Sequence, residues 1–341
     1  MRIKIDEGEE ILKSGDLLEI GKKADEIRRE KFGEITTFII DRNINYTNIC
    51  ENECKFCAFW RKKNNPTAYV LSNEEILEKV RETVEAGGTQ VMIQGGLNPE
   101  LPLNYYEKML SEIKKNYPKI TIHSFTATEI LYFAKKFGKS VEEIMKRLKN
   151  AGLDSLPGGG AEILVDEVRK KISPKKIMSE DWLKIMKIAH KIGMNTTATM
   201  VIGFGEEIFQ RVEHMKKIRE LQDETGGFRA FITWTYQPKN TILGGEKINS
   251  WEYMRTLAFT RIFFDNIEHI QGSWVTQGEK IGQITQNFGA DDLGSIMLEE
   301  NVVKAAGTSF EMSTQKMIKL IRETKKIPAQ RDTSYNILKK F

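Results

Sequence analysis

Near residue 35 the spacing of apolar side chains changes from a helical to a strand-and-helix rhythm. The first 35 residues read as two helices, with Leu17, Leu18, Ile20 and Ile27 as apolar points among charges. Beyond them, short β-rich runs alternate with amphipathic stretches. The runs predict strands at 36–47, 89–94, 120–125, 155–157, 195–202, 228–236, 270–275 and a short one near 288–291. A helix after Ser72 is announced by Glu75 three positions on, a capping box. Ile76, Leu77, Val80 and Val84 then share a face, and Gly87-Gly88 ends the run. Another helix spans from near Ser179 to Gly193. Eight strands alternating with helices predict an α/β fold of the (β/α)8, TIM type. The expected organisation is an N-terminal helical cap over 1–35 and one barrel with C-terminal helices over 36–341.

Polar and glycine residues recur where those strands end. They are the cysteines near residue 50, Gln94-Gly95-Gly96, His123-Ser124, Gly158-Gly159-Gly160, Gly203, Gln237 and Asp291-Asp292. In a parallel barrel the strand ends share one face, which is where chemistry occurs. A tight turn explains any one of the glycines, but not the recurrence.

Charge narrows the function class. The 341 residues carry 52 basic and 48 acidic groups, a net charge of +4. Runs such as Arg61-Lys62-Lys63 therefore read as solvated surface, and no nucleic-acid partner is expected. No apolar run approaches the ~20 residues that span a bilayer, so no membrane association is expected. The charged N-terminal stretch lacks a secretory core, which points to the cytoplasm.

The chemistry concentrates in Cys50-Glu-Asn-Glu-Cys54-Lys-Phe-Cys57, which holds all three cysteines of the chain. Three cysteines form no closed set of disulfides, and a Cys3His zinc site lacks a nearby histidine. Three thiolates do suit a 4Fe–4S cluster with one iron free of protein ligands. The stretch, with aromatic Phe56 before its last cysteine, resembles the motif of the radical S-adenosylmethionine (radical SAM) superfamily. A metal staple without catalysis is the non-enzyme alternative.

That resemblance implies a barrel of the radical SAM kind and S-adenosylmethionine as cofactor. Cys50, Cys54 and Cys57 become the cluster ligands. Gln94-Gly95-Gly96 looks like the Gly-Gly-Glu-type motif that meets the SAM amino group, although Leu97 stands where the acid is expected. Glu162 and Arg169 resemble the pair that brackets the methionine zwitterion; a solvated helix start is the alternative. Thr199 faces a ribose hydroxyl, Phe56 lies against adenine, and Ser124 joins the cofactor-facing set.

Further runs narrow the resemblance to the menaquinone-pathway branch. They include Asp41–Asn48, Cys57–Arg61, Met92–Leu97, Pro157–Leu164, Ser273–Gly278 and Gly289–Gly294. The block from Gly158 to Pro174 and the segment from Trp234 to Gln237 favour its ring-closing enzymes. Aminofutalosine synthase and deazaflavin (FO) synthase are the relatives kept as alternatives. The implied reaction takes the ribose C4′ hydrogen of dehypoxanthine futalosine with a 5′-deoxyadenosyl radical. The carbon radical then adds to the benzoate ring, and loss of a proton and an electron restores aromaticity. Asn45, Gln237 and Asp292 are expected to contact substrate. The proton-accepting base stays open among Asp292, Glu300 and Glu162, and Asp291-Asp292 read equally as the cap of a helix from Gly294. A flavodoxin or ferredoxin type donor is the expected source of electrons. Where the family often shows Gly-His-x-Glu, this chain reads Gly203-Phe204-Gly205-Glu206. Of the four histidines only His123 is expected at the site.

Overall fold

A computed structural model of the chain describes residues 2–341. The strands are β1 (Ile35–Ile39), β2 (Asp41–Ile44), β3 (Gln90–Ile93), β4 (Thr121–Ser124), β5 (Thr196–Ile202), β6 (Phe228–Thr235), β7 (His269–Gln271), β8 (Asp292–Ser295), β9 (Ile327–Arg331) and β10 (Ile337–Lys340).

The expected first strand is broken at Ile40 into β1 and β2, and each half takes a different partner. β1 pairs in parallel with β8, through Thr37 and Asp292, while β2 pairs in parallel with β3 along its whole length. β3 pairs with β4, β5 with β6, β6 with β7 and β7 with β8, all parallel. Between β4 and β5 the ring is completed by single bridges, His123 to Ser155 and Leu156 to Thr196. The expected strand at 155–157 is thus two bridging residues ahead of the glycine turn. The barrel closes as predicted.

Two elements were not legible. β9 lies parallel to β1 along Ile35–Phe38, on the edge opposite β8, and β10 returns antiparallel beside it. Pro328 within β9 and the fully exposed, lysine-bearing β10 hide the strand pattern. The last barrel strand begins at Asp292, one residue past the predicted run. Gly294 lies inside it at φ +70°, so no helix begins there; Asp292 Oδ1 instead accepts from Gly294 N–H at 2.8 Å.

The helices follow their caps. Asn73–Glu85 carries the predicted capping box, with Ser72 Oγ accepting from Glu75 N and the Glu75 carboxylate from Ser72 N. It buries Ile76, Val80 and Thr83. Ile5–Ser14 and Leu17–Phe32 pack along the flank of the barrel, against helices Ile208–Thr225 and Ser250–Phe263. The largest apolar core fills the space between strands and helices, with Ile44, Val91, Ile122, Ala198 and Phe231 fully buried, and a smaller one gathers around Phe38, Trp274 and Met317. No helix among the described residues is long and apolar enough to cross a membrane.

Candidate active site

A cavity of about 400 Å³ occupies the barrel interior, and the loop from Cys50 to Cys57 forms part of its wall. That loop is fixed by backbone hydrogen bonds rather than by regular structure. Cys50 N–H donates to Arg61 O, Glu51 N–H to Leu97 O, Lys55 N–H to Ile172 O and Leu243 N–H to Lys55 O, over 2.7–3.2 Å. The Arg61 guanidinium ties its end by donating to Ala58 O and Trp60 O, each at 2.8 Å. Glu53, Phe125, Glu162 and Met297 all hold positive φ in loops at the strand ends, strain of the kind that collects at functional sites.

All three cysteines are free and line the cavity. Burial pushes the Cys54 thiol up to about 12, and the neighbouring sulfurs add to that shift. Burial raises Cys57 as well, although Phe59 and Trp60 N–H groups pull the other way. Cys54 and Cys57 thus hold their protons unless a positive centre replaces them. Among the described residues no three Cys, His, Asp or Glu side chains converge on the position of a single ion. A cubane sets its ligands at separate corners, farther apart than the ligands of one ion. Three thiols on one loop suit a 4Fe–4S cluster with one iron free of protein ligands.

The glycine strip after β3 presses on this loop. A Cβ on Gly96 would stand 2.2 Å from Ile49 O, and one on Gly95 2.4 Å from the Tyr46 ring. The acid that Leu97 does not supply arrives from another element. Glu129, on helix Ala127–Lys136, accepts from Gly95 N–H (3.1 Å), Tyr46 OH (2.7 Å), Thr126 N–H (2.7 Å) and Thr126 Oγ1 (2.9 Å). Burial still holds its carboxyl above the usual range. The signal was the capping box Thr126-x-x-Glu129, which reads as a helix start alone.

Glu162 lines the cavity, almost fully buried, with Oε2 lacking any hydrogen bond. It has two cationic partners: Arg169 Nη1, the expected one, stands 3.7 Å from Oε2, and Lys176 lies closer. Lys176 Nζ donates to Glu162 Oε1 at 2.7 Å and stands 5.3 Å from the centre of the Phe56 ring. Burial opposes the Lys176 charge, but Glu162 and Cys54 keep its pKa above the ordinary value. Arg169 does not reach the cavity. Its guanidinium donates to Ile177 O, Gly160 O, Ala161 O and Ile163 O, and so holds the glycine turn in shape. Nothing in the sequence pattern singled out Lys176.

Other assignments divide the same way. Phe56, Gln94, Thr199, Asn45 and Glu300 line the cavity. Thr199 Oγ1 donates to Gly158 O at 2.7 Å, and Asn45 Nδ2 to Gln94 O at 3.2 Å. Glu300 accepts from the N–H groups of Val302, Val303 and Lys304, yet burial holds its carboxyl above the usual range.

Three residues turn away. Ser124 Oγ accepts from Ile93 N–H at 3.2 Å inside the sheet. Gln237 folds back on Thr235 and accepts from Thr308, leaving Trp234 as the aromatic on the cavity wall. Asp292, fully buried, is taken by Arg331 at 2.6 and 2.9 Å and by Thr37 Oγ1 at 2.6 Å. It ties β9 to the barrel and is no base. Asp291 likewise serves Arg261 and His269. Glu206 accepts from Gly203 N, Phe204 N and Arg211. His123 does line the cavity, through a 2.8 Å contact of Nδ1 with Ser155 Oγ. Beside it stands a cation the sequence reading passed over, Arg229 near the start of β6.

A parallel barrel with three free thiols beside a glycine strip at the mouth of its cavity defines a radical SAM protein. The radical SAM superfamily model matches residues 44–218, and the model described as "CofH/MqnC C-terminal region" matches 225–340. The chain belongs to the radical SAM superfamily, in the family that contains the cyclic dehypoxanthine futalosine synthases. It is 46% identical to the cyclic dehypoxanthine futalosine synthase of Halalkalibacterium halodurans, covering 100% of this chain and 92% of that protein. It is equally 46% identical to the synthase of that name from Streptomyces coelicolor, over 99% of this chain and 86% of that one. At 41% identity it resembles the 5-amino-6-(D-ribitylamino)uracil–L-tyrosine 4-hydroxyphenyl transferase of Archaeoglobus fulgidus, over 92% of both chains. Among solved structures, methylornithine synthase shares the fold at a TM-score of 0.77 and 17% identity, over 96% of this chain and 95% of that one.

Proposed function

We propose that this protein is a radical SAM cyclase converting dehypoxanthine futalosine to its cyclic product in menaquinone biosynthesis. The observation that carries the reading is the end-to-end 46% identity with two synthases of that name, against 41% or less for the transferases.

When bound, the cluster and SAM supply the 5′-deoxyadenosyl radical that takes the ribose C4′ hydrogen. The chain's own groups do the positioning. Cys50, Cys54 and Cys57 hold the cluster at the cavity wall. The Gly95-Gly96 strip, kept in place by Glu129, meets the amino group of SAM. Glu162 and Lys176 offer an acid and a cation, side by side, to its zwitterion. Thr199 lies within reach of a ribose and Phe56 of the adenine. Asn45 serves the sugar of the substrate. Glu300, which lines the cavity and whose carboxyl burial raises above the usual range, accepts the ring proton as aromaticity returns. Trp234 and the surrounding apolar wall exclude water from the radical. The protein works in the cytoplasm with a flavodoxin or ferredoxin type donor.

The test is an anaerobic assay of the reconstituted protein with SAM, dithionite and dehypoxanthine futalosine, read by mass spectrometry. The expected product is lighter than the substrate by two hydrogen atoms and accompanied by 5′-deoxyadenosine. Deoxyadenosine without cyclised product rejects this substrate and turns attention to the uracil–tyrosine pair of the transferases. No deoxyadenosine from protein verified to hold its cluster rejects the enzyme reading.

A further inference from the structure

Most buried arginines in this protein meet a carboxylate or spend their N–H groups on carbonyls. Arg211 meets Glu206 and Glu252, Arg261 meets Asp291, Arg331 meets Asp292, and Arg169 spends its N–H groups on carbonyls. Arg229 lines the cavity and forms no ion pair with any described residue. Its side chain is part-buried, its enclosed Nε–H has no partner, and Nη2 donates to Ser155 Oγ at 2.6 Å. An enclosed guanidinium left without an anion is costly unless a ligand brings one.

The surroundings hold this cation in place without neutralising it. Ser155 Oγ donates its one hydrogen to Asn195 O at 2.7 Å. It must therefore accept from Arg229 and from His123 Nδ1–H, which fixes the imidazole tautomer. A second cation of the cavity wall, Arg331, is already spent on Asp292, and Asp41 on the same wall is bonded to Ser295 and Gln90. Arg229 thus projects free N–H groups into the barrel.

Its position in the fold matters as much. Arg229 is the second residue of β6, so it belongs to the end of the barrel away from the cysteine loop. At about 3.3 Å per residue, the six residues on to Thr235 span about 20 Å. A ligand in this cavity therefore has the cofactor at one end and a fixed cation at the other.

We propose that Arg229, held by Ser155, anchors a carboxylate on the aromatic ring of the substrate. The inference rests on the cyclase reading for the identity of that substrate. It assigns the orientation: benzoate carboxylate on the guanidinium at the barrel floor, sugar towards the cysteine loop. Bidentate pairing with a guanidinium fixes the ring in plane as well as in place, which leaves C4′ as the part that faces the radical source.

The test compares dehypoxanthine futalosine with its carboxamide analogue in wild-type and Arg229→Gln protein. Loss of a buried charge pair is worth about 100-fold, so the wild type should favour the acid by that factor in kcat/KM. In Arg229→Gln the preference should collapse to within about threefold, since an amide pairs as well with either group. Retention of the wild-type preference in the folded variant overturns the anchor. Binding of benzoate to the cluster-loaded protein, followed by NMR, supplies a readout that needs no turnover. Benzoate should bind the wild type and bind Arg229→Gln and Ser155→Ala more weakly; equal binding to all three overturns the anchor. If the wild type makes no cyclic product yet its benzoate binding depends on Arg229, the cyclase reading falls and the anchor stands. If the product forms and the preference ignores Arg229, the reverse holds. Should Arg229→Gln fail to fold, Ser155→Ala, which keeps the charge and loosens its hold, carries both comparisons.

Discussion

Replacing Lys176 with Met isolates the buried pair on which the zwitterion site is built. The substitution keeps an unbranched apolar stem and removes the ammonium 2.7 Å from Glu162 Oε1. Both side chains are about nine-tenths buried, so the carboxylate is left without its nearest counter-charge. Breaking such a pair by removing one partner costs about 3–5 kcal/mol. Arg169 Nη1, 3.7 Å from Glu162 Oε2, compensates in part and favours the low end, about 3 kcal/mol. Unfolding entropy of about 2.1 cal/mol/K per residue makes about 0.7 kcal/mol per degree for this chain, so the Tm should fall by about 4 °C. The assay is anaerobic thermal unfolding of Lys176→Met, Glu162→Gln and the double variant before cluster loading. The double variant should be more stable than the sum of the single costs predicts, because neutralising Glu162 removes the stranded charge. A Tm loss below about 1 °C for Lys176→Met, or strict additivity, would refute the reasoning. The loaded variant should also bind SAM more weakly.

Glu300→Gln should lower kcat by about 100-fold and abolish the acid limb of the pH–rate profile. The sign follows from the raised pKa: the base works when deprotonated, so the wild-type rate falls as pH drops through that value. An unchanged profile removes Glu300 from the chemistry. Asp292→Asn should cost about 3–5 kcal/mol in unfolding experiments by stranding Arg331; an unaltered unfolding curve would show the tie to be dispensable. Because Cys54 and Cys57 hold their protons, cluster assembly in vitro should quicken as pH rises, read from iron–sulfur absorbance. Replacement of any one cysteine by Ala should leave no stable 4Fe–4S spectrum and no deoxyadenosine.

The sequence showed the barrel because its apolar periods are strong and its turns are punctuated. It showed the cysteines because three thiols at such spacing have few other uses. It failed where function depends on which face of a strand a residue takes. Gln237 and Trp234 sit in one segment, yet only Trp234 meets the cavity. Ser124 and His123 are adjacent, yet the serine bonds within the sheet. Asp292 looked free because Arg331, which neutralises it, comes from a strand with no legible pattern. Lys176 went unnamed beside Arg169, since charge alone does not say which cation reaches the cavity and which is spent mainly on carbonyls. Arg229 did carry a signal: it is the only charged side chain in the apolar strand Phe228–Thr235.

The backbone bonds that tie the cysteine loop to Leu97, Ile172 and Leu243 bear on how the enzyme survives air. The thiols belong to a frame that main-chain contacts tie to three other segments. Oxidative loss of a cluster would then leave an empty but correctly shaped socket, and a damaged molecule could be refilled by iron–sulfur delivery without refolding. Repair, rather than replacement, is what this stitching makes available.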